Sequence, residues 1–136
     1  WYKNSMMIFK AILFLLYIQV GIGTNFSSVD RFNPNPSLAC KSGETLKDSS
    51  FVVAHRELPC NTRILVCNTR TSKCVESVVM DRGPYGVTKS QYTSVIDLSL
   101  KTAKAIGHNG FEPVVIFSPT QIPNKGPKKK YVRKNS

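Results

Sequence analysis

Between Phe51 and Phe117 the chain carries five short apolar runs: FVVAH, RILVCN, CVESVVMD, SVIDLS and PVVIF. Each is rich in Val, Ile or Phe, and clusters of Gly, Pro, Asn and Ser separate them. Runs this short end before a helix of several turns can form, and β-branched residues suit a pleated surface. A chain punctuated in this way is expected to fold as a small β barrel or sandwich. Its 136 residues suffice for one domain with a modest core. In CVESVV, Val75 and Ser77 fall on one face and Glu76 and Val78 on the other. The run then becomes continuously apolar, so this strand is expected to enter the interior.

One helix is legible. In SLKTAKAIGHNG, Ser99 is a good N-cap, Leu100, Ala103 and Ile106 form an apolar face, and Gly107 supplies a left-handed stop. His108 is expected in an exposed turn beyond it. No repeat of solenoid length, no heptad pattern and no Gly-rich phosphate loop occurs.

The front of the chain reads as a targeting segment. Lys10 stands beside the apolar run Ala11–Ile18, and the small residues Gly21 and Gly23 follow. A signal peptide over residues 1–23 is therefore expected, with a polar linker over 24–36 and the folded domain over 37–119. The apolar run is shorter than the roughly 20 residues that span a bilayer. Asn25-Phe26-Ser27 fits a glycosylation sequon. Export agrees with the cysteines Cys40, Cys60, Cys67 and Cys74, which allow three pairings. Cys67 and Cys74 flank the polar turn NTRTSK and could pair across a hairpin, leaving Cys40 with Cys60. No C-x-x-C spacing exists, so neither a metal site nor any other cofactor is expected.

Charge is uneven. The formal net charge is +11. Residues 37–119 hold ten basic and seven acidic residues, whereas residues 120–136 hold six basic residues and no acid. KGPKKKYVRK cannot bury enough apolar surface to offset its ordering entropy. Residues 120–136 are therefore expected to form a disordered basic tail. Such a tail either remains solvated or draws the protein to an anionic polymer or membrane surface. With no helix-turn-helix and no interleaved aromatic patch, specific nucleic-acid binding is not expected, and the chain reads as a monomer.

VVMDRGPYG, Val78 to Gly86, places a carboxylate where an apolar strand stops. Gly83 and Pro84 force a turn, so Asp81 is expected at the strand's exit from the core. Partial desolvation there favours the protonated form that a general acid needs, while Arg82 would oppose it. In the plainer reading Asp81 caps the loop by accepting main-chain N–H groups.

Four segments together resemble the rare lipoprotein A (RlpA-like) double-psi β-barrel family. They are SGE (Ser42–Glu44), VAHRELPCNT (Val53–Thr62), VVMDRGPY (Val78–Tyr85) and SVIDLSLKTAKAIGHNGFEPVVI (Ser94–Ile116). The resemblance runs from Ala39 to Phe117. It implies a mainly β fold, a six-stranded double-psi β-barrel with one or two short helices. It also implies a secreted or periplasmic lytic transglycosylase acting on peptidoglycan glycan strands. Carried over by position, Asp81 is the catalytic acid/base, and Glu44 and His55 are the other catalytic candidates. Arg82, Tyr85 and Asp97 are candidates for binding substrate; Asp97 could instead make only local backbone bonds, and Tyr85, with Tyr92, could stack on sugar faces.

Three departures from the family pattern stand out. Cys60-Asn61 replaces an apolar residue and Gly, though Asn tolerates the left-handed geometry. CNTRTSKC replaces a Gly-containing turn, and the loop after DRGP is long and polar. The rival reading is a non-catalytic, expansin-like carbohydrate-binding barrel.

Overall fold

The computed structural model describes residues 16–31, 33–85 and 94–119. Its elements are β1 (Tyr17–Phe26), β2 (Val52–His55), β3 (Arg63–Asn68), β4 (Cys74–Asp81), β5 (Ser94–Ser99), α1 (Leu100–Ala105) and β6 (Phe111–Ser118). The strands close a barrel in the order β1-β5-β2-β4-β3-β6. Only β3 and β4 are neighbours in both sequence and sheet. β1 pairs parallel with β5, and β2 parallel with β4; the other four pairings are antiparallel. Apart from the β3–β4 hairpin, the segments between strands therefore cross the barrel instead of turning as hairpins. This is the expected mainly β class, a six-stranded double-psi barrel with one short helix among the described residues.

Period-two patterning fills the interior. In β3, Ile64, Val66 and Asn68 are buried between exposed or half-buried residues, and Glu112, Val114, Ile116 and Ser118 repeat the pattern in β6. Of these, Ile64, Val66, Val114 and Ile116 join Val53, Val79, Ile96, Leu98 and Ile106 in the hydrophobic core. The helix starts as expected: Ser99 Oγ accepts from the Thr102 N–H. Gly107, at φ +64°, takes the left-handed stop.

The barrel begins earlier than the leader and linker boundaries allow. β1 pairs with β6 from Tyr17 to Thr24 and with β5 from Ile22 to Phe26. It thus occupies the end of the expected leader and the start of the expected linker. A short apolar run does not by itself distinguish a leader from a strand. Gly21 is small for a packing reason, since a Cβ there would lie 2.5 Å from Val95 Cγ1. Beyond β1, Ser28 donates from N and Oγ to Asp48, at 2.8 and 2.6 Å, which ties part of the expected linker to the domain. Residues 1–15, 86–93 and 120–136 lie outside the described residues, and with them Lys10, Tyr92 and the basic tail.

Two disulfides join Cys40 to Cys60 and Cys67 to Cys74. The second closes the β3–β4 hairpin. Beside that hairpin, Glu112 accepts from Arg70 Nε (2.8 Å) and Asn68 Nδ2 (2.7 Å), while Arg70 Nη2 donates to Gly107 O. The Arg70 guanidinium, above all, holds the Glu112 carboxyl down at about 2. His108 is not an exposed turn residue: it is buried, and its Nδ1 accepts from the Gly110 N–H. The chain folds back into β6 directly after it, which encloses the ring.

Candidate active site

Asp81 is the last residue of β4, and a register shift decides what it faces. Val53 pairs with Val79, but the next residue, Ala54, pairs with Asp81. Met80 is the extra residue of a β-bulge, a device that re-aims the side chain beside it. Ala54 pairs on its other side with Asp97 of β5, and Asp97 pairs with Thr24 of β1. Asp81, Ala54, Asp97 and Thr24 thus form one row across four strands. The two carboxylates flank a single methyl group.

Asp81 is 7% exposed, and its Oδ1 accepts from the Ala39 N–H at 2.8 Å. This bond meets the loop-capping reading. Ala39 is held in place by its neighbour Cys40: Cys40 N donates to Met80 O, and the Cys40–Cys60 disulfide joins this loop to the turn after β2. That turn docks on β4 through Asn61 N to Val79 O and Val79 N to Thr62 O. Asn61 sits at φ +66°, the left-handed geometry its sequence position requires.

Asp97 is half-buried and accepts from Thr24 Oγ1. Burial pushes its carboxyl up to about 6; the nearby Asp81 adds to the rise, and the Thr24 bond and the Arg56 guanidinium oppose it. The DRGP segment passes beside it, since a Cβ at Gly83 would lie 3.8 Å from Asp97 Oδ2. Arg56 fixes that segment by donating from Nη1 to Pro84 O (2.8 Å) and Ser94 O (2.9 Å).

The remaining candidates are placed differently. His55 is 2% exposed. Its Nδ1 accepts from the N–H groups of Glu57 and Leu58, at 3.0 and 2.9 Å. An acceptor at Nδ1 leaves Nε2 to donate to Gln19 Oε1, at 2.7 Å. Burial first, then Arg56 and Arg82, lowers the imidazole to about 4. This neutral ring shapes the turn after β2. Arg82 donates to the carbonyls of His55 and Leu58 and approaches Cys60 Sγ, so its guanidinium braces the same turn. Glu44 is exposed and paired with Lys41 at 3.1 Å. It lines a shallow pocket with Leu38, Val52 and Met80. Tyr85 stands at the surface, 37% exposed.

Sequence reasoning did not single out Arg56, Ala39, Gln19 or Thr24. Arg56 adjoins the histidine of AHR, so attention to that segment's cation was the available signal. Gln19 and Thr24 lay in segments read as leader and linker.

No family model matches the sequence. Over 98 residues the chain is 36% identical to a protein of a Nostoc species named probable endolytic peptidoglycan transglycosylase RlpA, covering 71% of this chain and 24% of that protein. A Synechocystis protein of the same name is 39% identical over 66 residues, covering 48% of this chain and 19% of that one. The Pasteurella multocida endolytic peptidoglycan transglycosylase RlpA is 36% identical over 66 residues, with 48% and 21% covered. The chain spans a quarter or less of the length of these curated relatives. Among solved structures, the Streptomyces papain inhibitor superposes with a TM-score of 0.53 at 18% identity, covering 76% of this chain and 96% of the inhibitor. By sequence and by its closed six-stranded architecture, the chain belongs to the RlpA-like double-psi β-barrel domains.

Proposed function

We propose that this domain is a peptidoglycan lytic transglycosylase. It cleaves the β-1,4 bond between N-acetylmuramic acid and N-acetylglucosamine and leaves a 1,6-anhydro end. Asp81 serves as the acid/base group. The observation that carries this reading is the position of Asp81: the DRGP carboxyl stands at a strand end, 7% exposed, oriented by the Ala39 N–H, with a second acid, Asp97, beyond Ala54 in the same row. The RlpA names of the relatives support the substrate class. The two disulfides fit a secreted or periplasmic protein.

The chemistry suits few groups. An ordinary glycosidase recruits water as well as protonating the leaving oxygen, and uses two carboxylates. In a lytic transglycosylase the sugar's own C6 hydroxyl attacks C1. That tethered nucleophile has the effective-molarity advantage of an intramolecular reaction. The protein then has to deliver one proton and remove another. His55 and Arg82 act as positioning residues by setting the turn against which the DRGP loop rests. In this reading Glu44, beside its shallow pocket, Tyr85 and Asp97 contact the glycan strand.

Purified peptidoglycan incubated with the protein should release anhydro-muropeptides, and Asp81→Asn should abolish them. A non-catalytic, expansin-like binding groove is the second reading. It is favoured by the saturated His55 ring and the Glu44–Lys41 pair, which remove two groups from direct chemistry. Normal binding to peptidoglycan without anhydro product would select it. Deletion of residues 120–136 tests whether the basic tail supplies attraction to anionic polymers.

A further inference from the structure

We infer that Asp97 is a second catalytic carboxyl: it protonates the leaving glycosidic oxygen, while Asp81 takes the proton from the attacking C6 hydroxyl. The inference rests on the lytic-transglycosylase reading and divides between two residues the transfers assigned there to Asp81 alone.

The geometry argues for the division. Both carboxylates are cross-strand neighbours of Ala54, one on each side, so their backbones stand two strand spacings apart, roughly 10 Å. Only the Ala54 methyl lies between them in that row. The bulge at Met80 is what brings Asp81 into register with Asp97. The two acids also differ in their partners. Asp81 accepts a main-chain N–H from Ala39, which fixes the orientation of its carboxylate. Asp97 has the Thr24 hydroxyl, and the apolar strands around it penalise its charge. Two carboxyls with unlike surroundings are how one site keeps an acid beside a base.

The proton movements balance. The Asp97 carboxyl gives its proton to the oxygen of the C1–O4 bond as that bond breaks. O6 of the same sugar bonds to C1, and its hydroxyl proton passes to the Asp81 carboxylate. The products are a 1,6-anhydro end and a free 4-hydroxyl. Exchange with solvent then returns the proton from Asp81 to Asp97. The charged groups facing Asp97 are Asp81 at the end of β4, Arg56 after β2 and Asp30 after β1, with neutral Thr24 on β1. Burial and the two acids raise the Asp97 carboxyl to about 6 against Arg56 and Thr24, which keeps a protonated fraction available near neutrality.

The test compares wild type, Asp97→Asn and Asp81→Asn on two substrates. One is purified peptidoglycan. The other is a glycan oligomer ending in a dinitrophenyl N-acetylmuramic acid glycoside, whose leaving group departs without protonation. Asp97→Asn should slow anhydro-muropeptide release by about 100-fold or more yet leave dinitrophenolate release within about threefold of wild type. Asp81→Asn should slow both. Wild-type release from peptidoglycan should fall as pH rises above about 6, and release from the activated substrate should not. Asp97→Asn matching wild type on peptidoglycan overturns the assignment. So does a folded Asp97→Asn protein equally impaired on both substrates, since that marks a structural role. A wild type that yields no anhydro product overturns the functional reading as well.

Discussion

Replacing Asp97 by Asn should stabilise the protein while slowing its release of anhydro-muropeptides. The Asp97 carboxyl rises from 3.8 to about 6 on folding, chiefly by burial. A carboxyl raised in the folded state binds more protons there than in the unfolded chain between those two values. Stability from this group is therefore present in acid and lost as pH climbs from about 4 to 6. Above pH 7 the ionised group opposes folding by up to about 3 kcal/mol, since each tenfold change in proton affinity is worth about 1.4 kcal/mol. Partial exposure of Asp97 lowers the expected gain to about 1–3 kcal/mol. Asn keeps the shape and can still accept from Thr24 Oγ1 without carrying charge. For a domain of this size, that gain raises the melting midpoint by on the order of 10 °C. Melts followed by circular dichroism at about pH 7.5 and about pH 4, for wild type and Asp97→Asn, provide the measurement. The two proteins should separate at the higher pH and coincide at the lower. An Asn variant that melts at or below wild type at neutral pH, or whose advantage persists in acid, would refute the argument. Loss of function with gain of stability is the usual signature of a strained catalytic group.

Three further outcomes follow from the same geometry. His55 falls from 6.5 to about 4 on folding, so the stability it contributes is lost as pH drops through that window, by up to about 3 kcal/mol. Asp97 has the opposite slope, so wild type should be nearly flat from pH 6.5 to 4, and denaturant titrations of Asp97→Asn should expose the decline; a flat variant contradicts the His55 placement. Breaking the Cys40–Cys60 bridge by Cys40→Ser with Cys60→Ser opens a loop with a sequence separation of 20 and should cost about 3 kcal/mol. It should also slow turnover by loosening Ala39, and equal stability in urea melts would count against the bridge. A chain beginning at Tyr17 should give the β circular-dichroism spectrum of the full chain, whereas one beginning at Thr24 should not, because it lacks most of the β1–β6 pairing; a folded Thr24 chain would show that β1 is dispensable.

What the linear sequence determined is local. The short apolar runs RILVCN and PVVIF, the Ser99 cap, the Gly107 stop and the hairpin around NTRTSK each depend on residues a few positions apart. Those elements stand where the patterns put them. The turn geometry of Asn61 and the strand-end position of Asp81 are of the same kind. The partners of each element were decided by tertiary structure alone. An apolar run at residues 11–18 suits a leader and a strand equally, and only barrel closure, through pairing with β5 and β6, assigns Tyr17–Phe26 to the fold. Likewise SVIDLS carries no mark that its acid would stand one alanine away from the acid of DRGP. That neighbourhood depends on a parallel pairing, an antiparallel pairing and a one-residue bulge, which join segments 16 to 43 positions apart in the chain. The protonation states of His55 and Asp97 belong to the folded protein for the same reason: burial and neighbouring charge set them, and neither exists until the barrel closes.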